Sequence, residues 1–227
     1  MTARTSGVPA GKVPPEAPLD CPLCPRLVAY REENERREPD WHNAPVPSFG
    51  SENARLLIVG LAPGRTGANR TARPFTGDWA GDLLYPTLDK FGFSRGHFDK
   101  DGQDDLRLVD AMITNAVRCV PPENKPVGSE CNNCRPYLTS RIAALPKLEV
   151  IVSLGGIAHT NTLRALGMKA SAAKFAHGAW HDVEGPDGRA FKLVNSYHCS
   201  RYNTNTGRLT TQMFEDVFRS VRDHLDG

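Results

Sequence analysis

Four short runs of apolar and β-branched residues, at 55–59, 111–117, 149–154 and 191–195, are each followed by a polar or glycine-containing loop, and stretches of helical pattern lie between them. A run that is apolar at nearly every position reads as a strand buried on both faces rather than one with a wet side. Strands of this kind alternating with helices specify right-handed βαβ units. The expected fold is therefore α/β: a three-layer sandwich with a mostly parallel four-stranded central sheet and helices on both faces. Helices are expected over 24–38, 80–91, 134–145, 157–166 and 209–225, the last with Met213, Val217, Val221 and Leu225 on one stripe. Residues 93–105 and 169–188 read as irregular, the former as an exposed excursion. In open sheets of this class ligands bind beyond the carboxyl ends of the strands. That rule gathers the loops 60–82, 115–128, 155–156 and 198–210 around one crevice.

The first of these loops departs furthest from what packing alone selects. Residues 60–82 hold five glycines, two prolines and three arginines, a mixture that lets backbone approach a ligand closely beside positive charge. The 227 residues suit one well-buried domain, expected over 20–227 behind a loose, Pro/Gly/Ala-rich tail of 1–19. No run has the length of a signal peptide or a membrane span, so a cytoplasmic, membrane-free location is expected. The formal net charge is only +2. Any nucleic-acid role must then rest on local clusters of Arg and Lys.

Six cysteines in a cytoplasmic chain point to metal rather than to disulfides. Cys21–Cys24 and Cys131–Cys134 are two CxxC units, a spacing that lets two thiolates reach one ion from a single turn. Cys119 shares a loop with the second pair, which leaves five plausible ligands for four places. Spacing does not say which is spare. Four thiolates suit zinc or an iron–sulfur cubane alike.

GLAPG with GANRT, RPFTGD and AGD, then ITNAVRCVPPENKP, CRPYL and SYHCS with NTNTGRLT together resemble the family 5, or type B, uracil-DNA glycosylases over nearly the whole chain from Cys21 onward. Leu61 stands where the family 4 enzymes carry an acid, and the basic insert of proteins that trap uracil-DNA covalently is absent. The resemblance implies hydrolysis of the N-glycosidic bond of uracil, and of other deaminated bases such as hypoxanthine or xanthine, in DNA. It also implies a [4Fe-4S] cluster on Cys21, Cys24, Cys119 and Cys134, with Cys131 spare and zinc as the alternative.

A glycosylase must extrude the nucleotide, grip the base and stabilise both an oxocarbenium-like sugar and a departing base anion. Carried over residue by residue, Phe75 matches the aromatic that stacks on the base, and Gly60 and Ala62 belong to the pocket wall. Asn115 matches the amide that reads the base edge. His198 is the strongest catalytic candidate, an imidazole donor for a base carbonyl oxygen. Cys199 follows it where the family usually has Pro. With no acid at position 61, Asn69, Asp78 and Asp82 are the candidates for placing the water, Asn69 and Asp78 ranked first and Asp82 having the cap of the following helix as its alternative role. No lysine in the matched motifs offers a Schiff-base nucleophile, so the enzyme is expected to be monofunctional.

DNA is the expected partner. Arg65, Arg70 and Arg73, then Arg118 and Lys125, then Arg201 and Arg208 are expected to meet its phosphates. Tyr202, in the polar loop 202–206, is expected to enter the gap left by the flipped base. A monomer without an obligate protein partner is expected. Two other readings stand beside this one: a non-catalytic binder of damaged DNA, and an enzyme acting on a soluble nucleotide with the glycine-rich loop as a phosphate cradle.

Overall fold

The computed structural model describes residues 13–227. In chain order the elements are α1 (Pro25–Arg37), β1 (Phe49–Gly50), β2 (Leu56–Gly60), α2 (Ala68–Thr71), α3 (Trp79–Lys90), β3 (Ser94–Arg95), β4 (Arg107–Leu108) and β5 (Ala111–Asn115). A single 3₁₀ turn, Pro122–Asn124, leads into α4 (Gly128–Ala143), β6 (Val150–Leu154), α5 (Gly156–Ala165), β7 (Trp180–Glu184), β8 (Ala190–Ser196), α6 (Arg201–Asn205) and α7 (Thr211–Asp226).

The main sheet has six strands rather than four, in the order β1-β5-β2-β6-β8-β7. Its central four, β5-β2-β6-β8, are the apolar runs of the sequence and pair in parallel, with Ile58 opposite both Ile113 and Val152, and Val152 opposite Val194. The two additions are edges and antiparallel: β1 on β5 and β7 on β8. Both escape a search for apolar runs for the same reason. β1 is two residues long, and only Val183 of β7 is buried. The expected excursion is there, with residues 95–105 exposed or half-buried, but a short antiparallel pair, β3 with β4, closes its base, and Phe93 is fully buried and joins the core.

Side chains alternate across the sheet, as strand geometry requires, and this divides the core into two layers. Leu56, Ile58, Ile113 and Val152 point to one face, where Leu84 and Leu88 of α3 and Phe214, Phe218 and Val221 of α7 cover them. Leu57, Val59, Met112 and Ile151 point to the other, under Leu138 and Ile142 of α4 and Leu163 of α5. The three-layer sandwich is thus as expected.

Two expectations change near the amino terminus and at α4. Residues 1–12 of the expected tail lie outside the described residues, but 13–19 are pinned to the domain. Glu16 accepts from Arg118 at 2.7 Å and from Arg141 at 2.5 Å, and the Pro15 carbonyl accepts from Arg118 at 3.2 Å. Helix α4 starts at Gly128, earlier than Cys134, because Glu130 turns back to accept from the Val127 amide at 2.8 Å and closes the first turn. Cys131 and Cys134 therefore both ride on α4, one turn apart. No helix among the described residues is long and apolar enough to cross a membrane.

Candidate active site and cysteine pocket

A cavity of about 470 Å³ opens beyond the carboxyl ends of the central strands. Leu61, Ala62, Phe75, Asp78, Asn115 and His198 line it, with Trp79, Asn124, Ser200 and Arg201 toward its mouth. The strand-end rule thus delivers residues from three separate loops to one place.

Phe75 forms one wall through an unusual backbone. Its φ is +57°, a left-handed value that costs a non-glycine residue of this size about 1–3 kcal/mol and that persists only where its surroundings impose it. Here the Tyr85 hydroxyl donates to the Pro74 carbonyl at 2.6 Å, and the Phe75 carbonyl lies so close to Gly81 that a Cβ there would sit 1.9 Å from it. Gly60 is required on the other side. A Cβ on Gly60 would meet Asn115 Oδ1 at 2.4 Å and Phe75 Cζ at 2.6 Å, so glycine at the end of β2 lets the Asn115 amide and the Phe75 ring share the cavity floor.

Asn115 ends β5 and is buried, His198 lies just past β8 and is half-buried with its Nδ1 inaccessible, and Asn115 Oδ1 and His198 Nδ1 have no hydrogen-bond partner. Buried polar atoms are rarely left so. The imidazole lies 5.9 Å from the Phe75 ring, tilted by 31°. Burial alone lowers the His198 pKa to about 4, so the ring is neutral at physiological pH and carries one N–H to give. Its backbone is fixed by Asn203, whose amide donates to the His198 carbonyl at 2.8 Å. Cys199, in place of proline, turns its side chain into the core, fully buried.

The two first-ranked water-placing candidates separate. Asp78 lines the cavity and is the N-cap of α3, its Oδ1 accepting from the Gly81 amide at 3.2 Å. The cap is therefore Asp78 and not Asp82, which stands exposed in the first turn. Burial raises the Asp78 pKa against the opposing hydrogen bonds from Gly81 and Ala80. Asn69 is buried but does not line the cavity; its Nδ2 donates to Asn43 Oδ1 at 2.9 Å, tying the preceding loop to α2.

The arginines divide as well. Arg73 is buried and paired with Asp104, at 2.6 Å and 2.7 Å, which holds that carboxyl at about 2. Arg118 is fully buried on Glu16 and Ser48. Neither faces the crevice. Arg65 lines the cavity as expected, held there by Asn34 and stacked over Trp41, whereas Arg70 pairs with Asp101. Lys125 is exposed beside Glu123. Arg201 lines the cavity mouth, and Arg208 is exposed with its guanidinium 4.7 Å from the Tyr197 ring. Tyr202 is the most exposed large aromatic and sits on a short helix, α6, capped by Ser200, where a loop was expected. Trp79 and Asn124 were missed by sequence reasoning. The only local hint for Trp79 is that it falls off the buried stripe of α3, which runs through Ala80, Gly81, Leu84, Tyr85 and Leu88.

A second pocket lies on the far side of the loop after β5. Cys21, Cys24, Cys119 and Cys134 line it with Leu27, Val117 and Tyr137, while Cys131 does not. Three donors point at the sulfurs: the Arg118 amide to Cys134 at 3.3 Å, Asn133 Nδ2 to Cys24 at 3.7 Å, and Tyr137 Oη, in contact with Cys21 at 3.7 Å. Burial, then the neighbouring Cys134 and Cys21, push the Cys119 thiol up to about 12. Burial does the same to Cys134 against the opposing Arg118. A tetrahedral zinc needs four sulfurs within about 2.3 Å of one point. Among the described residues no three His, Cys, Asp or Glu side chains are grouped to hold a single ion; the thiols surround the pocket instead.

Residues 47–222 match the model of the uracil DNA glycosylase superfamily. The chain is 47% identical over 208 residues to a type-5 uracil-DNA glycosylase of Thermus thermophilus, covering 89% of this chain and 92% of that one. It is 41% identical over 211 residues to a type-5 uracil-DNA glycosylase of Mycobacterium tuberculosis, covering 89% and 77%. A type-4 uracil-DNA glycosylase of Archaeoglobus fulgidus is more distant, at 31% over 172 residues, 74% of this chain and 78% of that one.

Proposed function

Because the chain belongs to the uracil DNA glycosylase superfamily, in its type-5 branch, and is an enzyme that excises uracil from DNA, we propose that the cavity beyond β2, β5 and β8 is its base pocket. One observation carries this: two buried polar atoms without partners, Asn115 Oδ1 and His198 Nδ1, share a single cavity with the Phe75 ring. What sets these two apart from other unpartnered buried atoms is that they face one cavity, where a base edge would complete both.

In this reading the extruded base lies on Phe75. Asn115 pairs with the adjacent donor and acceptor of its edge, and a neutral His198 donates to a ring carbonyl oxygen. As the bond from C1′ to the base nitrogen breaks, its electron pair leaves with the base, and the His198 hydrogen bond strengthens with the charge that forms on the oxygen. Water adds to C1′ from the sugar's other face and gives up a proton to Asp78, the lining carboxylate, from which it passes to solvent. Asp78 is the group placed to hold that water, its carboxylate oriented by the Gly81 amide as a helix cap. Asn69 positions the loop rather than the water. No amine nucleophile lies among the lining residues, so the product is an abasic site with the strand intact.

The volume of about 470 Å³ falls among pockets that take ligands larger than a single pyrimidine. Hypoxanthine and xanthine carry the same carbonyl and N–H pattern on one edge, and we propose that they are accepted as well.

The cysteine pocket is proposed to hold a [4Fe-4S] cluster on Cys21, Cys24, Cys119 and Cys134. Four thiols spread around one apolar hollow suit a group wider than one ion. When bound, the cluster supplies a cross-link of four thiolates between the segment before α1, the loop after β5 and α4.

Oligonucleotides bearing uracil or hypoxanthine, incubated with enzyme and then alkali, test the reading. Breakage at both bases only after alkali is expected. Breakage without alkali would overturn the monofunctional mechanism, and retention of full rates by both Asn115→Ala and His198→Ala would displace the site.

A further inference from the structure

We infer that Trp79 is a DNA-contacting residue whose indole, held at the cavity mouth, offers a stacking face to a nucleobase beside the extruded one. This rests on the cavity being the base pocket.

Trp79 is the first residue of α3, directly after the Asp78 cap, and its side chain stays outside the face that α3 buries. It is 48% exposed. Yet the ring is not free. Its Nε1–H donates to Thr204 Oγ1 on α6 at 2.9 Å, across 125 residues of chain, and the Arg201 guanidinium lies 5.6 Å from its centroid. Packing does not need this residue: the apolar layer under α3 closes through Leu84, Tyr85 and Leu88. What the two contacts achieve is orientation, since they hold a large aromatic surface in one pose while leaving half of it in water.

An aromatic plate rimmed by an arginine, at the lip of a pocket for one nucleotide, matches what a continuing strand presents. Every base has a π-face, so stacking tolerates any sequence, and the backbone phosphate beside it needs a cation. Holding the ring in place beforehand removes part of the ordering cost of binding. Tyr202 differs: it is 72% exposed, and the wedge role proposed for it is entry into the duplex rather than stacking at the lip.

The test is binding of a uracil-free duplex and single-turnover excision from a uracil duplex. Trp79→Ala is expected to weaken binding about tenfold, the loss falling on KM more than on kcat. Trp79→Phe, which keeps a ring, is expected to recover most of it. Thr204→Val, which removes the hydrogen bond but not the indole, is expected to cost less than Trp79→Ala. With Trp41 and Trp180 both replaced by Phe, emission from Trp79 is expected to be quenched when DNA binds. Unchanged affinity in Trp79→Ala, an equal loss in Trp79→Phe, or unquenched emission would overturn the inference. Failure of the unsubstituted enzyme to break uracil strands would instead count against the pocket reading, because the Trp79 measurements read binding.

Discussion

The base cavity and the cysteine pocket lie a few residues apart along one strand end, for Asn115 closes β5 into the first while Val117, Arg118 and Cys119 line the second. In the cavity, which opens at the carboxyl ends of the strands, the amide of Asn115 and the imidazole of His198 are neutral and each keeps an atom without a partner, while Asp78 is tied as a helix cap. Beside the cysteine pocket Arg118 is charged, fully buried and paired: its two terminal nitrogens donate to Glu16, Ser48 and the Pro15 carbonyl, and its Nε alone has no partner. A neutral amide or imidazole can wait without a partner at modest cost, whereas a buried charge cannot.

The sharpest way to break this contrast is to remove a waiting group. His198→Ala is expected to lower single-turnover uracil excision by about 10²–10³-fold with little change in thermal midpoint, since the imidazole makes no bond that folding depends on. A large fall in midpoint with a small fall in rate would make His198 a structural residue. Gly60→Ala comes next. Its Cβ would displace both Asn115 and Phe75, and a misplacement of this kind costs about 10²-fold in rate; full activity would show that the two side chains do not share the floor.

On the other side of the comparison, Cys21→Ser, Cys24→Ser, Cys119→Ser and Cys134→Ser are expected each to lower the iron content of the purified protein and its thermal midpoint, and Cys131→Ser to leave the iron content as it is. Zinc without iron in the unsubstituted protein would replace the cluster with a single ion. Glu16→Gln is expected to destabilise by about 1–3 kcal/mol, below the full cost of breaking a buried pair because Glu16 is partly exposed, seen as a lower thermal midpoint. Burial alone would raise the Glu16 pKa, but Arg118, Ser48 and Arg141 together hold it below the ordinary value. Its contribution is thus present above the unfolded carboxyl range near 4.5 and lost as pH falls through the depressed value. Acid unfolding curves of wild type and Glu16→Gln should converge there.

The smallest effect is an absence. With its pKa lowered from 6.5 to about 4 by burial, His198 stays neutral well below neutral pH; it adds no pH dependence to stability above 6.5, and stability falls progressively from 6.5 to about 4, where only the unfolded imidazole takes up a proton. The rate of excision should show no limb near pH 6.5 from this residue; a limb there that vanishes in His198→Ala would mean that the imidazole is open to water.

Much of the site was legible because strand ends are legible. An apolar run followed by glycine or asparagine marks a carboxyl end, and topology then brings Gly60, Asn115 and His198 together whatever the distance in sequence. Arg73 and Arg118 show where this fails. Each sits in a motif rich in polar residues and looks like a phosphate ligand, but its partner is 31 residues away at Asp104 or 102 residues away at Glu16, and nothing local announces either pairing. Asp78 and Asp82 failed differently. Both suit a helix start, and the choice fell to whichever carboxylate the turn aimed at the Gly81 amide.

By itself the sequence determined the four parallel strands, the side of the sheet on which chemistry gathers, the family, and the chemical kinds of the residues that serve it, because hydrophobic periodicity and residue type are local properties. Only the tertiary structure decided which arginines remain open at the crevice, that Asp78 rather than Asn69 borders the cavity, and that Trp79 stands at the lip. These depend on contacts between segments more than a hundred residues apart in several cases, and such contacts exist only once the sheet has set the directions in which side chains point.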